Sequence, residues 1–482
     1  MTSIEREEVM TNEIHKEIKF GTDGWRGVIA DNFTFKNVAI IGQAIADWLK
    51  NDPPVKGDKV VALGYDTRFL SREFAETIAC ILAKNGFKVF LSKECIPTPA
   101  LSYGVIDVKG IAGVMITASH NPGKFNGVKI KTAQGGGAPK EHTDKVEALL
   151  GVNPVDTMPL KEAVESGKVT IYDFKAAYLK FMKSYVSLAK IKKTKFKVLQ
   201  DVMHGSGRRI LEEVLKGGTV KTELMRADIN PWFDGTKPEP VADYLKGAME
   251  RMKKEKFDIG LVLDGDADRI AAIMPGGEYV SPQKILGLLI LHLIRNKKRK
   301  GGVVKTVCGT TMIDNIAKKL GLELYETPVG FKYISDLMVT KQIVAGGEEA
   351  GGMGVQDYIP ERDGTLAGLL LLEMMVYEKK NFKQLIESME KEFGRYYYQR
   401  CDLSLGDGKY DSEKFKAMKE LAGKKVVDVN TKDGVKLLCE DGSWLMLRPS
   451  GTEPIVRAYS EAKSIKRAKD LIAIGESLLR GK

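Results

Sequence analysis

One pattern recurs over the first three quarters of the chain: a short apolar run, a turn marked by Gly or Asp, an amphipathic stretch of helical period, and another apolar run. Residues 59–64 (KVVALG) lead through Asp66-Thr67-Arg68 into a helical period over 71–85 and a strand at 88–91. Residues 195–202 (KFKVLQDV) lead through His204-Gly205-Ser206-Gly207 into 208–216. Residues 302–307 lead through Gly309-Thr310 into 312–320 and a strand at 323–325. Strands that are apolar throughout are covered on both faces, and helix-length connections between them specify parallel βαβ units. Three such modules predict three tandem α/β domains with mainly parallel mixed sheets. After Phe393-Gly394-Arg395 the pattern changes to short strands at 424–429, 434–439, 444–447 and 455–460, closed by a helix near 462–479. That predicts a smaller C-terminal α+β domain with an antiparallel sheet. The expected units are 1–172, 173–278, 279–392 and 393–482.

The 482 residues carry 75 Lys+Arg against 64 Asp+Glu, a net charge of +11 that suits anionic partners. The basic residues are scattered, with small clusters such as 297–300, and no basic stripe is interleaved with aromatics. Nucleic acid is therefore not an expected partner. No run approaches the ~20 apolar residues of a membrane span. The strongest, 285–294, contains His292, and 369–372 is stopped by Glu373, so both read as buried helices. Residues 1–16 are polar and glutamate-rich, unlike a signal peptide, and read as a leader before the first strand. Five cysteines without a C-x-x-C pair exclude a disulfide framework and point to a reducing cytoplasm. Residues 134–139 (QGGGAP) read as a flexible loop.

Four loops carry the chemistry. In residues 113–122 (GVMITASHNP) an apolar strand empties into a polar turn with Ser119 at its tip, which is either a nucleophile on a rigid frame or an ordinary ST-turn. His120 follows it, and Lys129 lies in the next strand. In residues 264–269 (DGDADR), Asp264, Asp266 and Asp268 follow a strand at alternate positions and can converge on one hard cation. An EF-hand is excluded, because its sixth position is Arg269 and its twelfth is Pro275. Mg²⁺ is expected, since phosphate chemistry favours it and no His or Cys softens the site. In residues 346–352 (GGEEAGG), glycines allow close backbone approach and Glu348 and Glu349 offer acceptors for hydroxyl groups. A hairpin turn would read the same. The turn-like Thr327-Pro328-Val329-Gly330-Phe331-Lys332 is close in sequence. In residues 448–454 (RPSGTEP), with Arg457 beyond, a guanidinium, two hydroxyls and a Gly-permitted turn make a nest for a phosphate dianion.

TASHNP, DGDADR and RPSGTEP, in this order and preceded by FGTDGWRG at 20–27, resemble the α-D-phosphohexomutase superfamily of the phosphoglucomutase/phosphomannomutase type. The resemblance implies three α/β domains and a smaller fourth around a central cleft. It implies interconversion of hexose 1-phosphate and hexose 6-phosphate through a phosphoserine and a hexose 1,6-bisphosphate, with glucose and mannose as substrates. Ser119 resembles the serine that carries the phosphate. Asp264, Asp266 and Asp268, with a phosphoserine oxygen, resemble the ligands of one Mg²⁺ per subunit. Arg26 and Arg269 resemble the arginines lining the reacting phosphate, and His120 and Lys129 the groups near the transferred proton, with Lys129 the better acid/base. Glu348 resembles the sugar-hydroxyl acceptor, and Ala350, Val329 and Gly330 are counted with it as substrate-binding. Arg448, Ser450, Gly451, Thr452 and Arg457 resemble the site for the non-reacting phosphate. In the family the loop at 347–351 is usually Gly-Glu-x-Ser-Gly; here Ala350 replaces the serine. A phosphoglucosamine mutase, a sugar-phosphate hydrolase and a sugar-phosphate sensor are the alternatives.

Overall fold

The computed structural model describes residues 18–21, 24–404, 410–449 and 455–479. The leader at 1–16 and the phosphate-loop residues Ser450, Gly451 and Thr452 lie outside the described residues.

The first sheet contains β1 (Trp25–Val28), β2 (Val60–Tyr65), β3 (Lys88–Ser92), β4 (Ala112–Ile116), β5 (Phe125–Thr132) and β6 (Val169–Tyr172), in the order β1-β5-β4-β2-β3-β6. β2 shows why an unbroken apolar run is needed. Val61 and Leu63 pack with Ile41, Ile45 and Ile78 of the helices Phe35–Asn51 and Ser71–Lys84. Ala62, pointing the other way, packs with Ala100 and Leu101 of the helix Thr98–Asp107. That second face does not end with the first domain. Its cluster runs on through Phe174 and Val198 to Leu286, Leu370 and Met389, so the three α/β units share one continuous core.

The second sheet is β7 (Lys197–Asp201), β8 (Lys221–Met225), β9 (Ile259–Leu263), β10 (Ile270–Ile273) and β11 (Tyr279–Val280), ordered β11-β10-β9-β7-β8. The third is β12 (Gly302–Thr306), β13 (Leu324–Thr327), β14 (Ile343–Gly347) and β15 (Met353–Val355), ordered β13-β12-β14-β15. In each of these three sheets a parallel set gives way to an antiparallel strand: β4 to β5, β9 to β10, and β14 to β15. Those three connections carry TASHNP, DGDADR and GEEAGG. The three candidate loops therefore gather outside the carboxyl ends of parallel strands, where open α/β sheets bind ligands.

The fourth sheet is antiparallel: β16 (Tyr397–Ser404), β17 (Glu420–Leu421), β18 (Lys424–Asn430), β19 (Val435–Cys439), β20 (Trp444–Pro449) and β21 (Ile455–Ala462), ordered β16-β21-β20-β19-β18-β17. Alternation sorts its faces. Leu445, Leu447, Val456 and Ala458 face Leu471 and Leu479 of the helix Ile465–Leu479. Trp444, Met446 and Tyr459 face Val307 and Cys308 of the third domain. The sequence pattern did not announce β16, whose alternate positions Arg400 and Asp402 are charged.

One other feature differs from the sequence reading, and a second adds to it. The loop at 134–139 is packed rather than free. Gly135, at φ +85, passes the Ser102 carbonyl so closely that a Cβ would lie 2.4 Å from its oxygen, and a Cβ on Gly136 would lie 2.5 Å from Ser335 Oγ. The basic cluster at 297–300 is in part committed to internal pairs, Lys297 with Glu373 and Arg299 with Asp357. No helix among the described residues is long and apolar enough to cross a membrane.

The polar interruptions of the two most apolar runs meet one another. His292 follows the helix Pro282–Leu291 and donates from Nε2 to Glu373 Oε2 of the helix Gly364–Glu378 at 2.9 Å, with both side chains buried. Lys297 Nζ and the Ser187 N–H, at 3.2 and 2.6 Å, complete the carboxylate's partners. Against the pull of burial, the His292 and Ser187 hydrogen bonds and the Lys297 charge lower Glu373 from 4.5 to about 2. A depressed carboxylate stabilises the fold above its unfolded pKa and loses that contribution as pH falls through the folded one. Glu373→Leu is expected to cost about 3–5 kcal/mol at neutral pH by leaving His292 and Lys297 uncompensated. In urea melts the gap from wild type should narrow as pH falls from 4.5 towards 2.

Candidate active site

The turn between β4 and β5 holds Ser119 at φ +51, a left-handed conformation that needs support in a residue other than glycine. Its N–H donates to Thr117 Oγ1 at 2.9 Å. The buried Oγ donates to Asp264 Oδ2 at 3.1 Å and lies 3.4 Å from His120 Nδ1. Arg26, on β1, donates from Nη1 to Asn121 Oδ1 at 2.7 Å, which aims it at the same turn. Burial, then the cations Arg269, Arg26, Arg400 and Lys129, hold His120 well below the ordinary histidine range, so its imidazole is uncharged at physiological pH.

Asp264, Asp266 and Asp268 are fully buried, and one carboxylate oxygen from each lies within 4.8 Å of the others. Asp264 Oδ1 accepts the Arg269 N–H at 3.1 Å. Asp266 Oδ2 accepts from Thr98 Oγ1 at 2.6 Å and from Lys129 Nζ at 2.9 Å. Asp268 Oδ2 lies 2.8 Å from Arg362 Nη2 and 3.4 Å from Lys129 Nζ. Burial, reinforced by Asp268 and Asp266, pushes Asp264 well above the usual carboxylate range. Burial also raises Asp268, against the pull of Arg362. It would raise Asp266 too, but the Lys129 ammonium and the Thr98 hydroxyl outweigh it and hold that group low. The Oδ1 atoms of Asp266 and Asp268 are buried without a hydrogen-bond partner. An all-oxygen donor set with two orphaned carboxylate oxygens fits Mg²⁺.

The third loop reaches this centre through Arg362. Its guanidinium contacts Asp268, Glu348 Oε2 at 3.4 Å and Glu361 Oε1 at 3.2 Å, and Glu361 pairs with Lys131 of β5. A bridge between Arg269 and Gly352 sets the two loops edge to edge. Gly351, at φ +107, approaches the Ile270 carbonyl to within 2.8 Å of where a Cβ would sit. Ala350 lies half-buried in that turn.

Val329, Gly330, Arg448 and Arg457 form a second group at the seam of the third and fourth domains. Asp433 Oδ2 accepts from the Val329 N–H at 2.9 Å and from Arg448 Nε at 2.8 Å. Gly330, at φ +132, begins the helix Phe331–Thr340. Arg448 stands opposite Arg457 across β20 and β21, and Arg457 Nε lies 3.9 Å from Asp402. Arg68, Thr98, Glu361, Arg362, Arg400 and Asp433 were not among the residues the motifs pointed to. Each is a charged or hydroxyl side chain with at least one partner distant in sequence, such as Asp266 for Thr98, Lys131 for Glu361 and Asp268 for Arg362.

Family profiles for phosphoglucomutase/phosphomannomutase match the chain in four consecutive pieces. The alpha/beta/alpha domain I covers residues 17–153, domain II 176–277, domain III 281–393 and the C-terminal domain 409–474. The chain belongs to the phosphoglucomutase/phosphomannomutase family. A phosphoglucomutase/phosphomannomutase from Thermococcus kodakarensis is 31% identical over 461 residues, covering 95% of this chain and 98% of that protein. A phosphoglucosamine/phosphogalactosamine mutase from Sulfurisphaera tokodaii is 29% identical over 467 residues, covering 96% and 99%. The crystal structure of a Thermus thermophilus protein named as a phosphomannomutase superposes with a TM-score of 0.84 at 33% identity, covering 96% of this chain and 99% of that one.

Membership in the family agrees with the acidic centre, which is also its most testable part. Asp264→Asn removes one of three mutually repelling carboxyls, so the metal-free variant is expected to melt higher than the metal-free wild type. Mg²⁺ at 100 times its Kd should stabilise wild type by about 2.7 kcal/mol, and Asp264→Asn should lose that gain. Scanning calorimetry with EDTA and with Mg²⁺ reads both.

Proposed function

We propose that this chain interconverts α-D-hexose 1-phosphates and hexose 6-phosphates, glucose and also mannose, by double phosphoryl transfer through Ser119. The observation that carries the reading is the hydrogen bond from Ser119 Oγ to Asp264, which joins a nucleophile to a buried hard-cation centre.

Phosphorylated Ser119 and a sugar phosphate each carry about −1.5 to −2 charges, so the cleft must offset their repulsion. Arg26 and Arg269 supply fixed positive charge at that turn, and Asp264, Asp266 and Asp268 with a Ser119 phosphate oxygen would hold Mg²⁺. When bound, the ion would neutralise charge developing on the transferring phosphoryl group. In the first transfer the bond from phosphorus to Ser119 Oγ breaks and one to the free sugar hydroxyl forms. The hydroxyl proton leaves to a base and Ser119 Oγ takes one up. We assign this exchange to neutral His120, 3.4 Å from Oγ, and to Lys129. In the second transfer the other phosphate of the hexose 1,6-bisphosphate returns to Ser119 and frees the isomeric monophosphate. A free bisphosphate would serve as activator by phosphorylating Ser119.

Such a cycle needs a grip on the distant phosphate whichever end reacts. Arg448, Ser450, Gly451, Thr452 and Arg457 are proposed for it, with Glu348, Ala350, Val329 and Gly330 along the sugar between. The five free cysteines accord with a reducing cytoplasm.

The test is phosphorus NMR of glucose 1-phosphate with Mg²⁺ and a trace of glucose 1,6-bisphosphate. Glucose 6-phosphate should appear without inorganic phosphate, and Ser119→Ala should abolish the conversion. Release of inorganic phosphate would make the protein a hydrolase, and faster turnover of glucosamine 1-phosphate would make it a glucosamine mutase. Because Glu348 is expected to grip hydroxyls that glucose and mannose share, kcat/KM for the two should differ only modestly. Ala350→Ser should raise both by about two- to tenfold, the worth of one net hydrogen bond, and leave their ratio unchanged.

A further inference from the structure

We infer that Arg68, in the turn after β2, is a positioning residue for phosphoryl transfer, acting with Asp66 by gripping both peptide groups of Ser119. This rests on the function proposed above.

The Arg68 guanidinium is buried and spends its donors on backbone oxygens of one turn. Nη2 donates to the carbonyls of Ser119 and Asn121, each at 2.6 Å, and Nη1 to those of Pro122 and Phe125, each at 2.9 Å. Its Nε faces Asp66 Oδ2 at 3.2 Å, and its Cζ lies over the Phe233 ring, 4.9 Å from the centroid. The other side of Ser119 reaches the same ion pair by a second route. The Ser119 N–H donates to Thr117 Oγ1 at 2.9 Å, and that hydroxyl donates to Asp66 Oδ2 at 2.6 Å. The carboxylate is itself fixed by the Arg68 N–H at 2.9 Å and Ser71 Oγ at 2.8 Å. The peptide planes before and after Ser119 are thus both tied to one rigid pair. Those planes set φ and ψ, and with them the direction of the Cα–Cβ bond that points Oγ at Asp264.

The same turn also ties Ser119 to the acidic loop. Thr67 Oγ1 donates to the His204 carbonyl at 2.9 Å, and two residues on, the Ser206 N–H donates to the Gly265 carbonyl at 2.9 Å. Gly265 passes so near that a Cβ there would lie 2.4 Å from the Ser119 carbonyl oxygen. That oxygen is therefore held between the Arg68 fork and the backbone of the DGDADR loop. Arg68 touches no atom that reacts. Its contribution is geometric, and rates of group transfer are steeply sensitive to geometry, about a hundredfold for a misplacement of about 1 Å.

Lysine keeps the charge but cannot fork to four carbonyls. Arg68→Lys is expected to lower kcat for glucose 1-phosphate by about a hundredfold while KM stays within about threefold, the signature of an interaction lost only in the transition state. Mn²⁺ affinity, read by electron paramagnetic resonance, should stay close to wild type, whereas the melting temperature should fall because buried carbonyls lose their donors, so kcat is expressed per folded protein. Phosphorylation of Ser119 by glucose 1,6-bisphosphate, followed by intact mass, should slow in parallel with kcat. Thr117→Val, which removes the second tie while leaving both members of the ion pair in place, should show the same split and gives the test if Arg68→Lys does not fold. Wild-type kcat in both variants, or a loss of kcat no larger than the loss of folded protein, would overturn the positioning role. An inactive wild type would overturn the proposed function instead.

Discussion

Three carboxylates buried within 4.8 Å of one another are the constraint on which the rest of the molecule depends. Uncompensated, such a group would be driven apart or protonated, because burial removes the water that would screen it. Compensation comes from every α/β domain. Lys129 arrives from β5 of the first, Arg269 from the second's own loop, and Arg362 from the loop just before the helix Gly364–Glu378 of the third. The domains cannot separate without leaving one of these charges alone. The centre is therefore an interdomain lock as well as a candidate metal site, and the continuous apolar core serves the same end.

Its location follows from a topological repetition. In each α/β domain the functional loop joins the last strand of a parallel set to an antiparallel neighbour. The backbone reverses within a few residues there, so side chains at the turn are thrown outward beyond the strand ends. One such turn alone would hold one group; three turned towards a common point bring together a hydroxyl, an acidic triad and a Glu–Arg pair. The bridge between Arg269 and Gly352 and the contact of Gly265 with Ser119 show how closely the turns approach. Glycine recurs at these meeting points because a Cβ would collide with the neighbouring backbone.

What the sequence made legible was local. Apolar runs such as VVALGY and IGLVL declare strands covered on both faces, and acids at alternate positions after a strand declare a cation loop. Long-range partners were not legible. Asp66 and Arg68 read as a turn into a helix, and nothing near them mentions the four carbonyls that Arg68 holds. Arg362 read as nothing, because a buried arginine is indistinguishable from a solvated one until its carboxylates are known. β16 stayed hidden because Arg400 and Asp402 interrupt its apolar pattern for a purpose, placing charge on the face that turns towards the other domains. The loop at 134–139 looked flexible from its glycines, yet those glycines are there because the chain passes too close to Ser102 and Ser335 for side chains.

The fourth domain shows the same logic in a different sheet. Arg448 and Arg457 stand directly opposite on β20 and β21, an arrangement that costs an antiparallel pair stability when the charges are alike. Asp433 and Asp402 offset it from either side, and Asp433 also holds the Val329 N–H of the third domain. A sheet assembled for stability alone would place a carboxylate, not a second guanidinium, across from Arg448. Under the proposed function the opposed pair has a reason. Two guanidiniums on neighbouring strands suit the charge of a phosphate dianion, and the two aspartates orient them before it arrives. Since Asp433 bonds both Arg448 and the Val329 loop, one carboxylate positions the two together, so on that reading the proposed grip on the distant phosphate and the proposed sugar contact would be set jointly rather than independently.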